Sequence, residues 1–157
     1  MALVVETGAI VTGANTYVSL ADFKAWADAR GITYGTDEVV TQQIYRAMDY
    51  IESLDFKGLK HTETQPLQWP RDMVYIDGYS VDSDEIPNQL KLAVYEAIKV
   101  EIDGDSRLLP DEREVISEKI DSISVTYKSS TGMKRATPAL TKALQKLTEP
   151  MSLVSRA

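Results

Sequence analysis

Cysteine is absent from the 157 residues, and histidine occurs once, at His61. The first absence excludes a disulfide framework, a thiolate zinc site and a cysteine nucleophile. It fits a reducing compartment without defining one. The second leaves His61, in the polar run KHTET, with no Cys or second His to share a metal, so it reads as a solvated loop histidine. A Ser-His-Asp triad has only this imidazole to draw on, and no serine sits in a nucleophile elbow. Walker-type and dinucleotide glycine patterns are missing. The acid runs DSDE and DGDSRLLPDE lack the fixed glycine and distal glutamate of a calcium loop. No stretch approaches the roughly 18 apolar residues of a membrane span, and MALVVETGAIVTG has no basic n-region of a signal peptide. The expected inventory therefore holds no catalytic, cofactor-binding or metal-binding residue, no cofactor and no membrane contact.

What is present suffices for one modest core: 43% of residues are hydrophobic and 26% charged. The net charge of −7 is unevenly spread. Residues 1–80 carry 6 basic and 11 acidic groups, 81–121 carry 5 and 12, and 122–157 carry 6 and 1. An acidic body argues against binding nucleic acid by phosphate neutralisation. The basic end fits docking on an acidic surface, that of an identical neighbour included.

The patterning predicts a mainly α protein: a small helical bundle of three core helices plus a C-terminal helix, a short β-hairpin and strand, and an extended N-terminal arm. Residues 1–18, β-branched and broken by Gly8 and Gly13, form the arm, which could pair with a sheet edge of its own or a neighbouring chain. The core spans 19–128. Helix one starts at Ser19, with Asp22 in the capping-box position and Val18 and Phe23 as a staple; Arg30-Gly31 stops it. Helix two starts at Thr36 and carries Val40, Ile44, Ala47, Met48 and Ile51 on one face. The short loop between them predicts an antiparallel pair.

Pro66 and Pro70 exclude regular helix over the next stretch. Asp77-Gly78 between MVYI and YSV reads as a type I′ hairpin, with an irregular loop as the alternative. Helix three begins around Pro87 and holds Leu90, Ala93, Val94, Ala97, Ile98 and Glu101 on one side. Residues 105–114 read as a polar loop. Residues 122–128 alternate strictly and read as a half-buried strand. Residues 129–157 form a basic linker, SSTGMKRA, and a helix opening at Thr137-Pro138 with Leu140, Ala143, Leu144 and Leu147 on one face. A helix this short needs a surface to dock on, either its own domain or a partner.

One group could bind a ligand: Trp69, Arg71, Tyr75 and Tyr79 would make a stacking platform for single-stranded nucleic acid. The weightier reading is structural, with Trp69 and the tyrosines filling space between helices and Arg71 paired with a nearby acid, because no basic groove accompanies the aromatics.

The segments GANTYVSLADFKAWADARG, QPLQWPR, DGYSVDSDEIPNQLKLAVYEA and VISEKIDSISVTY resemble a family of small tailed-bacteriophage proteins. These are the head–tail connectors, also called adaptors or head-completion proteins, some of which carry the name DnaT-like single-stranded-DNA-binding protein. The resemblance implies a homo-oligomeric ring, by analogy a dodecamer, placed in the virion at the head–tail junction after assembly in the host cytoplasm. Its partners would be the portal protein and a tail or stopper protein, and DNA would pass through without specific binding. Related adaptors grip the portal or a neighbour with a terminal extension. Here the implied partner contacts are Val4 and Val5 in the arm, and Lys134, Arg135, Lys142 and Lys146 at the basic end. The other function compatible with the likeness is a DnaT-like single-stranded-DNA-binding accessory protein.

Overall fold

The computed structural model describes residues 2–104 and 137–149. The polar loop 105–114, the strand expected at 122–128 and the linker 129–136, with Lys134 and Arg135, lie outside the described residues.

Four helices form the described bundle: α1 (Leu20–Asp28), α2 (Asp37–Glu52), α3 (Asn88–Ile102) and α4 (Pro138–Gln145). Ser19 caps α1, its Oγ accepting the Asp22 N–H at 3.0 Å and donating to the Asp22 carboxylate at 2.7 Å. Thr36 occupies the N-cap of α2 but makes no side-chain bond there; Asp37 and Glu38 supply charge to the first turn instead. Pro87 is the N-cap of α3 rather than its first helical residue. Thr137 caps α4 by accepting the Leu140 N–H.

The bundle is organised around α3, which packs against α2 on one side and α4 on the other. Leu90, Ala93, Val94, Ala97 and Ile98 are buried as the periodicity predicts, and Val100 is buried as well because the helix is covered on two sides. Glu101 stays half-buried and approaches Arg46 of α2 at 3.8 Å. The antiparallel pairing of α1 with α2 is slight. Its apolar stripe meets α3 instead, where Trp26 stacks on Tyr95 at 5.3 Å and Phe23 lies 6.3 Å from the same ring. Leu140, Leu144 and Leu147 are buried in the common core, so α4 docks on its own domain. Burial of each leucine contributes about 1.5–3 kcal/mol, which offsets the marginal stability of so short a helix.

Between α2 and α3 the chain makes two small antiparallel pairs. β1 (Leu59–Lys60) pairs with β2 (Arg71–Asp72), and β3 (Tyr75–Ile76) pairs with β4 (Tyr79–Ser80). The second is the expected hairpin, and positive φ at Asp77 and Gly78, 53° and 88°, is the type I′ signature. The first was not visible in the sequence, because its strands are two residues long and eleven apart. The Trp69–Pro70 peptide bond is cis.

The N-terminal segment is irregular, with a single bridge between Val5 and Thr16, but it lies on its own domain instead of projecting from it. Glu6 explains why. Its side chain is buried, and the carboxylate accepts the N–H groups of Gly8 (2.9 Å), Ile10 (3.0 Å) and Val11 (2.9 Å). Three donors that an extended arm would leave to solvent or to a neighbour are thus satisfied internally. Gly8, at φ +104°, lets the loop touch the segment before α3: a methyl there would stand 1.8 Å from the Asp84 carbonyl oxygen.

Candidate partner-binding surface

The Trp-Pro-Arg corner is interior. Trp69 is fully buried, edge-on to Phe56 at 5.9 Å, and its backbone N–H donates to the Tyr17 hydroxyl at 3.1 Å. Its indole N–H meets no acceptor among the described residues. Arg71 is also buried, and its partner is not the acid the sequence suggested. Its guanidinium donates to the carbonyl oxygens of Lys57 (2.7 Å), Phe56 (3.2 Å), Gly58 (2.8 Å) and Gln68 (3.2 Å), and to the Gln68 side chain (2.9 Å). The planar fork of donors suits this task, because the turn after α2 presents inward carbonyls that no strand partner satisfies. Burial lowers the Arg71 pKa, opposed by Tyr17 and Glu52. Two members of the candidate stacking platform are therefore consumed by the fold, as the structural reading of Trp69 expected.

The two tyrosines behave in the opposite way. They do not fill space between helices: Tyr75 is 63% and Tyr79 78% exposed, beside Met73 at 75%. Two-residue strands leave them no layer to pack against. The register sets Tyr75 opposite Ser80 and Ile76 opposite Tyr79, so the tyrosines occupy alternate faces of the hairpin and do not form one stack. Met73 sits at φ +59°, a left-handed conformation costly for an unbranched side chain and seldom kept without a reason in packing or function. Between the hairpin and the start of α3 runs an open groove of about 330 Å³, with Tyr79, Val81 and Pro87 as apolar lining and Asp77 and Glu85 as carboxylates.

The termini are placed as follows. Val4 and Val5 are half-buried in the Glu6 loop, where the Val4 N–H donates to Asn15 Oδ1 at 2.9 Å. Lys142 is exposed on α4. Lys146 is engaged: its amine pairs with Asp77 on the hairpin, and its carbonyl accepts from Lys57 Nζ at 3.3 Å. The structure places Lys142 on α4 and Lys146 at its C-cap but joins neither to Val4 or Val5. His61 lies on the surface against Asp72, Nδ1 to carboxylate 2.9 Å. The Glu6 loop and the hairpin exposure are what sequence reasoning missed. A lone acid inside an apolar, glycine-broken stretch was the available signal for the first.

Residues 2–104 and 137–149 carry 18 acidic and 10 basic side chains, and Arg71 among the latter is turned inward. Within this part of the chain, no continuous basic groove is left for a phosphate backbone. No curated protein and no solved structure matches the sequence. A family described as "Putative DnaT-like ssDNA binding protein" matches residues 1–156, and the chain belongs to that family.

Proposed function

We propose that the chain is a structural head–tail connector of a tailed-bacteriophage virion: a non-catalytic adaptor that assembles as a homo-oligomeric ring between the portal and a tail or stopper protein. The observation that carries this reading is the acidic body, in which the one arginine buried among the described residues serves backbone carbonyls. A ring through which DNA slides should hold phosphate weakly, and a negative surface lowers that affinity. Electron microscopy of the chain mixed with its portal tests it. A ring seated on the portal is expected; persistent monomer beside the portal, together with normal virions from a deletion mutant, would sink it.

A second reading is a single-stranded-DNA-binding accessory protein. The family description favours it, and so do the exposed Tyr75 and Tyr79, with Lys60 and His61 exposed on the neighbouring strand pair. It predicts salt-sensitive binding to an oligothymidine that weakens in Tyr75→Ala and Tyr79→Ala. Absence of binding at low salt removes it.

A further inference from the structure

The outer edge of β4 is an unfinished sheet edge. Ile76 and Tyr79 form the hydrogen-bonded pair beside the two-residue turn, and the Val81 N–H donates to the Val74 carbonyl at 2.9 Å. Ser80, opposite Tyr75, is the non-hydrogen-bonded position between those pairs, so its N–H and carbonyl point away from β3. Among the described residues neither group has a partner, nor has the Asp82 N–H. The Asp82 carbonyl accepts the Glu85 N–H at 3.1 Å, which ends the edge. Ser80 lines the groove, so the edge opens onto it. Tyr79 and Val81 share the hairpin face that buries Val74 and Ile76, and with Pro87 they give the groove its apolar side. Just past Val81 stand Asp82, Asp84 and Glu85, all exposed and, among the described residues, paired with no cation.

We propose that this edge accepts an extended segment of a second protein, added antiparallel to β4 as a third strand. Three features set the chemistry of that segment. The free N–H and carbonyl of Ser80 offer one incoming residue a reciprocal pair of backbone bonds. Side chains at alternate positions fall against Tyr79, Val81 and Pro87, so those positions are apolar. Antiparallel pairing brings the N-terminal end of the segment beside Asp82 and Asp84, where lysine or arginine is favoured. Other occupants fit worse. A second copy paired edge to edge would bring its own Asp77, Asp82 and Asp84 to an acidic rim, and a phosphate backbone would be repelled by it. The close approach of Gly8 to the Asp84 carbonyl already holds the rim in place, so docking need not order it. The contact goes beyond the adaptor reading and stands whether or not the chain forms a ring.

Amide hydrogen exchange of the full-length chain, with and without a capped peptide Lys-Lys-Val-Thr-Val-Thr-Val, tests it. In the free chain the Ser80 and Asp82 amides should exchange fast, and saturating peptide should slow Ser80 by about tenfold or more. A counterpart peptide with glutamate for both lysines should bind about tenfold more weakly. Asp82→Lys with Asp84→Lys should reverse that preference. Ser80→Pro removes the outward N–H without touching a bond to β3, and should abolish peptide binding. The wild-type exchange measurement needs no variant and decides the matter if either variant fails to fold. Slow Ser80 exchange in the free chain at every concentration would show the edge filled from within the chain, and slowing that grows with protein concentration would assign it to a second copy. Either result overturns the proposal. So do equal binding of the two peptides, no slowing of Ser80 at any peptide concentration, and protection by oligothymidine in place of the peptide.

Discussion

The Tyr17 hydroxyl donates to the Glu52 carboxylate across 35 residues of sequence while accepting the Trp69 N–H. A second oxygen of Glu52 takes the Gln68 N–H at 2.8 Å. The loop before α1, the end of α2 and the Trp-Pro corner thus meet at one half-buried carboxylate. Burial raises the Glu52 pKa, opposed by the hydrogen bonds from Tyr17 and Gln68; burial and then repulsion from Glu52 raise that of Tyr17.

The sign of the resulting pH dependence follows from linkage. An acid whose folded pKa is raised binds its proton more tightly in the folded state, so its contribution is fully present below the unfolded value, about 4.3. That contribution is lost as pH rises through the raised folded value. Glu52→Gln removes the titration. The stability of wild type relative to Glu52→Gln, from urea midpoints, should therefore fall as pH rises from the acid side toward neutrality. A difference that is flat with pH would show that Glu52 titrates normally.

Glu6 organises the N-terminal loop by accepting three N–H groups. Glu6→Ala orphans all three and should cost about 3 kcal/mol of unfolding free energy. Glu6→Gln keeps the oxygen that serves Gly8 and Ile10 and should cost about 1 kcal/mol. Denaturant titration separates the two, and faster amide exchange at Gly8, Ile10 and Val11 in the alanine variant would locate the damage.

Arg71 and Tyr79 should respond oppositely to truncation. Arg71→Ala strips five acceptor contacts and should destabilise by about 3 kcal/mol. Tyr79→Ala, on an exposed side chain, should stay within about 0.5 kcal/mol of wild type. Any binding defect in the first must therefore be measured against fraction folded, whereas a defect in the second reports the surface directly.

α4 belongs to the core, so Leu147→Ala should lower stability by about 2–5 kcal/mol. That loss should be independent of protein concentration. A concentration-dependent loss would mean the leucines pack on another subunit.

The helices were legible because each carries its own signals: the Ser19 cap and Phe23 staple, the Val40-to-Ile51 stripe, and the Thr137-Pro138 start. The hairpin was legible through Asp77-Gly78. Less visible was everything decided by long-range satisfaction of backbone groups. Nothing in the local pattern says that Glu6 folds an arm back into a loop, or that Arg71 prefers four carbonyl oxygens to the acids around it. The placement of Tyr75 and Tyr79 was misread for a related reason. Aromatic residues predict burial only where a second layer exists to cover them, and two-residue strands cannot supply one.

Gly8 carries a mechanical consequence. Its α-carbon rests on the Asp84 carbonyl with no room for a methyl group, so the first turn of chain and the acidic segment that rims the groove are in direct backbone contact. Any displacement of residues 82–85 therefore presses directly on the loop that holds Val4 and Val5, with no hinge between the two.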